Sequence, residues 1–370
     1  MINKKNCCGC GLCSEICPSH AISFIRDNEG FYYPNIDSSC LNCGLCLKYC
    51  PVNKNKVNNS VLKTFYGFIK DTDILLRCSS GGIAYALSKY IVNKGGVVFG
   101  AIYCDGYKKV THITANNLEE IAPMIGSKYI KSNIVKSFKR IKSYLEEDGT
   151  VLFIGLPCDI GAVKAYLNKD YINLYTCELI CNGVTSEKVQ EEYIENIESN
   201  YNSKLTDFTV RYKKGKWKPK YIRGIFSDGS KMEVEFNGTD FERAFRILKR
   251  PSCYNCFFKG SNSIADMTIG DYWGIKETDN HYNKNGVSVV FCNTDKGSNM
   301  IINNPYIETY EINYEEGITN NPSIYKSTDI SIWRASFIKN LHKYGLHKAV
   351  QRTGVFFRKI KSLLKIALQG

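Results

Sequence analysis

No apolar run in this chain approaches the ~18 residues needed to cross a membrane, so the sequence predicts no spanning segment. The first six residues run directly into a cysteine-rich loop and leave no room for a signal peptide, which predicts a cytoplasmic protein. Acidic residues stop at Asp329, yet nine basic ones follow: Arg334, Lys339, Lys343, Lys348, Arg352, Arg358, Lys359, Lys361 and Lys365. Those nine supply most of the net charge of +13, and the remainder of the chain is close to balanced. Positive charge confined to a tail, with no recognised nucleic-acid module, argues against nucleic-acid binding. Histidine is scarce, and His20, His112, His281, His342 and His347 form no ligand group. At 370 residues, 44% hydrophobic and 23% charged, the chain has room for two or three domains and a substantial core.

Cysteine is what the chain has in excess: there are 17, nine of them before position 51. Without an export signal, so many thiols read as metal ligands rather than disulfides. Eight form two runs, Cys7-x2-Cys10-x2-Cys13-x3-Cys17-Pro18 and Cys40-x2-Cys43-x2-Cys46-x3-Cys50-Pro51. This is the bacterial ferredoxin spacing, in which the fourth cysteine of each run crosses to the other cluster. It assigns one 4Fe–4S cluster to Cys7, Cys10, Cys13 and Cys50, and a second to Cys40, Cys43, Cys46 and Cys17. The two-residue gaps let three thiolates of one loop face one cubane, and each Pro turns the chain away. Zinc knuckles or a disulfide framework account for neither the duplication nor the closing prolines. Exposed clusters are oxygen-sensitive, so an anaerobic setting is expected.

The pattern divides the chain into a ferredoxin-like unit over 1–52, a polar linker over 53–62, a core in two halves (63–200 and 201–325) and a basic helical tail over 326–370. In the first unit, 21–26 reads as a strand and Asn28-Glu29-Gly30 as a turn. From residue 64 strands and helices alternate: strands over 64–69, 96–103, 150–154 and 171–179, and helices over 81–93, 133–147, 159–167 and 186–200. That rhythm predicts a mixed α/β core with a mainly parallel or mixed sheet. Residues 204–236 read as a β-hairpin turning at Asp228-Gly229.

Three further segments carry chemistry. Arg77-Cys78-Ser79-Ser80-Gly81-Gly82 opens a helix, where free N–H groups and the dipole suit a phosphate; the same residues equally serve as a plain helix cap. Gly155-Leu156-Pro157-Cys158 is a strand-to-helix turn, the usual ligand position in an open α/β sheet, or else the site of an inert buried cysteine. Cys253-Tyr254-Asn255-Cys256 is half a zinc site, a redox dithiol, two unrelated thiols, or part of a third cluster completed by Cys158 and Cys181.

Taken in order, these segments resemble the beta-subunit family of coenzyme F420 hydrogenases and dehydrogenases. Gly126-Ser127-Lys128-Tyr129, Cys181-Asn182-Gly183-Val184, the run from Lys249 to Cys256 and that from Ala265 to Gly274 complete the series, which spans about 64–321. The resemblance implies FAD beside a 4Fe–4S cluster, passing electrons between the clusters and a deazaflavin or another small two-electron acceptor. It places FAD contacts at Ser79, Ser80, Gly81, Gly82, Ser127, Lys128, Gly155 and Pro157, and the core cluster on Cys158, Cys181, Cys253 and Cys256. Lys128 is expected to bring charge to the FAD, with a solvated surface lysine as the alternative. Asp271 is either close to the cofactors or a capping residue. The family commonly has His where this chain has Asn182, which cannot shuttle a proton near neutral pH. Cys8, Cys104, Cys177 and Cys292 are expected to be structural, and Cys78 adjoins the FAD loop.

The expected protein is thus an iron–sulfur flavin oxidoreductase fed by a ferredoxin or other redox partner protein, with no catalytic residue assigned. A non-catalytic electron relay, or a reductase in a biosynthetic pathway such as one for surface glycans, are the alternatives. In the tail, Phe356, Phe357, Ile360, Leu363, Leu364 and Ala367 can share one helix face opposite Arg358, Lys359, Lys361 and Lys365. That suits either peripheral docking on an anionic membrane or acidic partner, or a helix packed on the protein's own core.

Overall fold

A computed structural model describes residues 3–54, 60–260 and 263–367, with side chains as far as residue 353. The two cysteine runs have the same backbone. In each, the residue before the second cysteine (Gly9, φ 70°; Asn42, φ 52°) and the one after it (Gly11, φ 81°; Gly44, φ 73°) are left-handed. A four-residue helix follows in both, Leu12–Glu15 and Leu45–Lys48. Left-handed residues reverse the chain within a few positions, a conformation that glycine adopts without steric cost. Between the runs β1 (Ile22–Arg26) and β2 (Tyr32–Ile36) pair antiparallel. Their turn is closed by Asp27, whose carboxylate accepts from the amides of Glu29 and Phe31.

The core is a single eight-stranded sheet. Its strands are β3 (Lys63–Ile69), β4 (Val97–Cys104), β5 (Lys109–Ala115), β6 (Val151–Gly155), β7 (Leu174–Leu179), β11 (Met267–Asp271), β12 (Ser288–Cys292) and β13 (Ile307–Ile312). The order is β13-β3-β12-β11-β7-β6-β4-β5. The middle strands β4, β6, β7 and β11 are mutually parallel, while both flanks are antiparallel. The parallel centre reads as near-continuous apolar runs because both faces are covered: Val98, Leu152 and Cys177 face one core, Val97, Phe99, Val151 and Phe153 the other. The sequence reading finds β3, β4, β6 and β7 and misses β5, β11, β12 and β13; β5 is a flank strand of alternating residues (KVTHITA) without the apolar run of its neighbours.

The segment expected as a hairpin is a three-stranded sheet: β8 (Leu205–Lys213), β9 (Lys220–Phe226) and β10 (Lys231–Glu235) in the order β10-β9-β8. The Asp228-Gly229 turn joins β9 to β10. The β8–β9 register slips between Val210 and Tyr212, leaving Arg211 as a bulge with φ 67°. Helices Glu187–Tyr201 and Asp240–Ile247 pack on this sheet.

The ferredoxin-like unit is seated on the core rather than hung from it. Cys10 and Leu12 join the cluster containing Ile134 and Phe138, and Phe31 and Tyr33 join that of Val189 and Tyr193. Ion pairs Arg26–Glu191 (2.6 Å) and Lys139–Glu15 (3.1 Å) rim the contact. The tail is the helix Arg334–Ala367, broken at Gly345. Its first part is packed on the protein itself, with Phe337, Leu341, Leu346, Ala349 and Val350 buried. The amphipathic face expected from Phe356 onward lies outside the described side chains. Among the described residues no helix is long and apolar enough to cross a membrane.

Candidate redox site

Two cavities meet at the carboxyl ends of the parallel strands, where open α/β sheets bind ligands. The larger, about 900 Å³, reaches Gly100 of β4, Gly155 of β6, Leu179 of β7 and Asp271 of β11. The smaller, about 240 Å³, is lined by Cys158, Cys181, Cys253 and Cys256 together. Leu156, Cys181, Asn182, Gly183 and Val184 line both, so the two share one wall.

Ser79, Ser80, Gly82, Ser127, Lys128 and Gly155 all line the larger cavity. Ser79 and Ser127 tie two of its loops together: Ser79 Oγ accepts from the Ser127 amide and hydroxyl, each at 3.0 Å. Gly81 stands behind the wall, its amide donating to Ser288 Oγ at 2.9 Å. Pro157 opens the helix Pro157–Leu167 and lines the smaller cavity instead. Lys128 is turned back on its own loop, donating to the carbonyls of Pro123, Met124, Ile125 and Gly126 at 3.0–3.3 Å. Burial pulls its pKa down to about 7, whereas four carbonyl acceptors each favour the ammonium form.

The charge facing the cavity comes from residues that sequence reasoning did not find. The bulge aims Arg211 inward, where its guanidinium donates to both oxygens of Asp271 (2.7 and 2.5 Å) and to the Ser79 carbonyl (2.9 Å). Lys220 donates to Asp271 at 3.0 Å. The two cations hold the Asp271 carboxyl well below the usual carboxylate range despite its burial. With Lys218 and Arg246 also on the lining, the wall is suited to phosphate groups. His112 is a wall residue, with Nε2 donating to the Ile154 carbonyl (2.9 Å) and Nδ1 meeting Ser132 Oγ (2.7 Å). Burial lowers its pKa and keeps it neutral.

The smaller cavity has the donor set of an iron–sulfur cluster: four thiols, with Lys131, Arg250 and Lys259 on its lining to offset thiolate charge. Among the described residues, no three His, Cys, Asp or Glu side chains come close enough to share a single metal ion. Cys253 closes a short turn, Pro251–Cys253, and its amide donates to the Arg250 carbonyl at 2.9 Å. Asn182 faces both cavities.

A third, narrow cavity is lined by Cys7, Cys10, Cys13 and Cys50, the set that the spacing assigns to one cluster, and Cys46 reaches it as well. The other set lies outward: Cys43 is exposed, and Cys17 and Cys40 take local partners, Ser19 and Asn42. Cys8, expected to be structural, lines both the narrow cavity and the one that holds the core thiols, and is in contact with Cys10 and Cys158. In the duplicated loop its counterpart is Leu41, 68% exposed, so only the first run is built to face inward. Arg250 completes the junction. It is 2% exposed, donates to the Cys7 and Tyr32 carbonyls at 2.7 and 2.9 Å, and stands 3.6 Å from Cys7 Sγ.

A Cβ on Gly9 would lie 2.7 Å from the Arg250 guanidinium carbon. Gly9→Ala is therefore expected to cost the left-handed penalty of about 1–2 kcal/mol and to displace Arg250. Gly44→Ala has a similar φ of 73° with nothing within 4 Å, and should incur the backbone cost alone. Thermal melting of the two variants side by side checks this; equal losses would show that the Arg250 contact is dispensable.

These features define an iron–sulfur electron-transfer protein, with a two-cluster ferredoxin unit seated on a mixed α/β core. Residues 6–54 match the 4Fe-4S dicluster domain, and residues 148–315 match the C terminus of the coenzyme F420 hydrogenase/dehydrogenase beta subunit. That match covers a little under half of the chain. A solved structure of similar fold is a chain of the xenon-derivatised F420-reducing [NiFe] hydrogenase complex from Methanosarcina barkeri. It has a TM-score of 0.50 and 20% identity, over 80% of this chain and 91% of that one. No curated protein matches the chain.

Proposed function

We propose that this chain is an iron–sulfur flavin oxidoreductase that holds FAD in the larger cavity and a 4Fe–4S cluster in the smaller, four-thiol one. On this reading it exchanges electrons with a deazaflavin or another small two-electron acceptor. The observation that carries the reading is the shared wall, in which five consecutive or facing residues border both cavities. A flavin supplies the link between one-electron clusters and a two-electron acceptor. The chain's own residues bind, orient and insulate. Arg211, Lys218, Lys220 and Arg246 present positive charge to phosphate, and the Ser79–Ser127 contact fixes the loop that faces them. Asn182 occupies the partition with an amide that donates hydrogen bonds without titrating. The ferredoxin unit supports an order of approach: the set containing the exposed Cys43 outermost, the Cys7 set next, and the core thiols innermost, with Cys8 and Arg250 between the last two.

Anaerobic purification followed by iron, sulfide and flavin analysis tests the reading. About twelve irons and one FAD per chain are expected, with the flavin reducible through a ferredoxin. Eight irons without flavin would reduce the chain to a relay. Trials with deazaflavin and nicotinamide cofactors then identify the acceptor.

A further inference from the structure

We propose that Lys131 sets the reduction potential of the core cluster by donating to the Cys158 ligand sulfur, and that Asp159 is the positioning residue that holds it there. The proposal rests on the reading that Cys158, Cys181, Cys253 and Cys256 hold a 4Fe–4S cluster.

Lys131 lines the smaller cavity between two residues of the larger one, Ser132 and Ile130, the latter bridging to Thr185. Its ammonium stands 3.1 Å from Cys158 Sγ and forms an ion pair with Asp159. The lysine side chain is 12% exposed and that of Asp159 is fully buried. A buried ion pair has little value as a stability device, since desolvation offsets most of the attraction, so its position beside a ligand sulfur is the informative feature. The position is fixed from two sides. One Asp159 oxygen faces Lys131 and the other accepts from the Leu156 amide at 3.1 Å, at the start of the helix that carries Cys158.

Hydrogen bonds to sulfur and nearby positive charge stabilise the more negative, reduced state of a cluster and raise its potential. Lys131 supplies both to one ligand. Asp159 limits the effect, because its carboxylate cancels part of the lysine's charge at the same point. The two residues therefore make opposite predictions. Removing the ammonium should lower the potential of the core cluster, and removing the carboxylate while keeping the ammonium should raise it. A structural ion pair would predict loss of stability from both and a potential shift of opposite sign from neither.

The test is a redox titration followed by electron paramagnetic resonance on anaerobically purified protein, with iron counted in every sample. Lys131→Met is expected to keep the wild-type iron content and shift one of three cluster signals to lower potential. Asp159→Asn, whose amide oxygen can still accept from Lys131 without cancelling its charge, should shift the same signal upward, and Lys131→Arg should stay close to the wild type. If Lys131→Met does not fold, the double variant Lys131→Met/Asp159→Asn, which leaves no buried charge unpaired, is read in its place and should also fall below Asp159→Asn. Twelve irons with an unmoved potential in these variants would overturn the role of Lys131. Eight irons in the wild type would instead overturn the cluster reading on which it rests.

Discussion

Cys253→Ala is expected to remove about four of twelve irons and to leave the ferredoxin pair intact. The cysteine groups are separate in space. Cys253 lines the smaller cavity alone, whereas Cys7, Cys10, Cys13 and Cys50 line a different one. The residue sits in a short turn between Arg250 and Tyr254, outside every strand of the sheet, so truncating it leaves the eight-stranded core untouched. Iron and sulfide analysis should show the loss, and the spectrum of the remaining eight irons should be that of the isolated N-terminal pair. On the proposed route, reduction of the acceptor through the ferredoxin unit should fall to background while flavin stays bound. Cys8→Ala separates ligation from proximity: Cys8 touches Cys158 but belongs to no four-thiol set, and its loss should cost no iron. Full iron retention in Cys253→Ala would reject a core cluster.

The sequence made the cysteines legible because cluster ligation imposes spacing, and spacing survives in one dimension. The two runs, with matching left-handed residues at Gly9 and Asn42 and at Gly11 and Gly44, repeat in backbone what they repeat in letters. Three of the four parallel strands, β4, β6 and β7, were legible for a similar reason, since burial on both faces writes an apolar run. The charged wall of the larger cavity was not. Arg211 lies in an ordinary alternating strand, and only a register slip against β9 turns it inward. Lys131 and Asp159 are 28 residues apart, and no spacing in the sequence links them. Cys8 sits in the spacer of a motif in which spacers carry no ligand role, and its contact with Cys158 appears only when the ferredoxin unit is docked. Lys128 shows the converse. Its motif pointed to the cofactor, while four neighbouring carbonyls hold its ammonium.

Asp271→Asn is expected to destabilise the protein by about 3–5 kcal/mol, the largest stability loss of any single charge change considered. Asp271 is 8% exposed and accepts from Arg211, Lys220 and the Trp273 indole. Replacing it leaves two cations buried beside each other with no anion between them, and burial already pulls the Lys220 pKa down. The exposed pair Lys108–Glu195 provides the contrast: Glu195→Gln should cost under about 1 kcal/mol. Differential scanning calorimetry of apoprotein at pH 7 reads both. Flavin content of the purified variant reads the second consequence, because Arg211 then keeps only neutral partners, the Ser79 carbonyl and Tyr129, and flavin per chain should fall. The pH dependence has a definite sign. The folded pKa of Asp271 lies below its unfolded value of about 3.9, so its stabilisation is complete above that value and is lost as pH falls toward the folded one. The gap between wild type and Asp271→Asn should therefore be constant from neutral pH to about pH 5 and narrow in stronger acid. A gap that instead widened on acidification would mean that Asp271 is protonated in the folded protein, and that Arg211 and Lys220 are not its counter-charges.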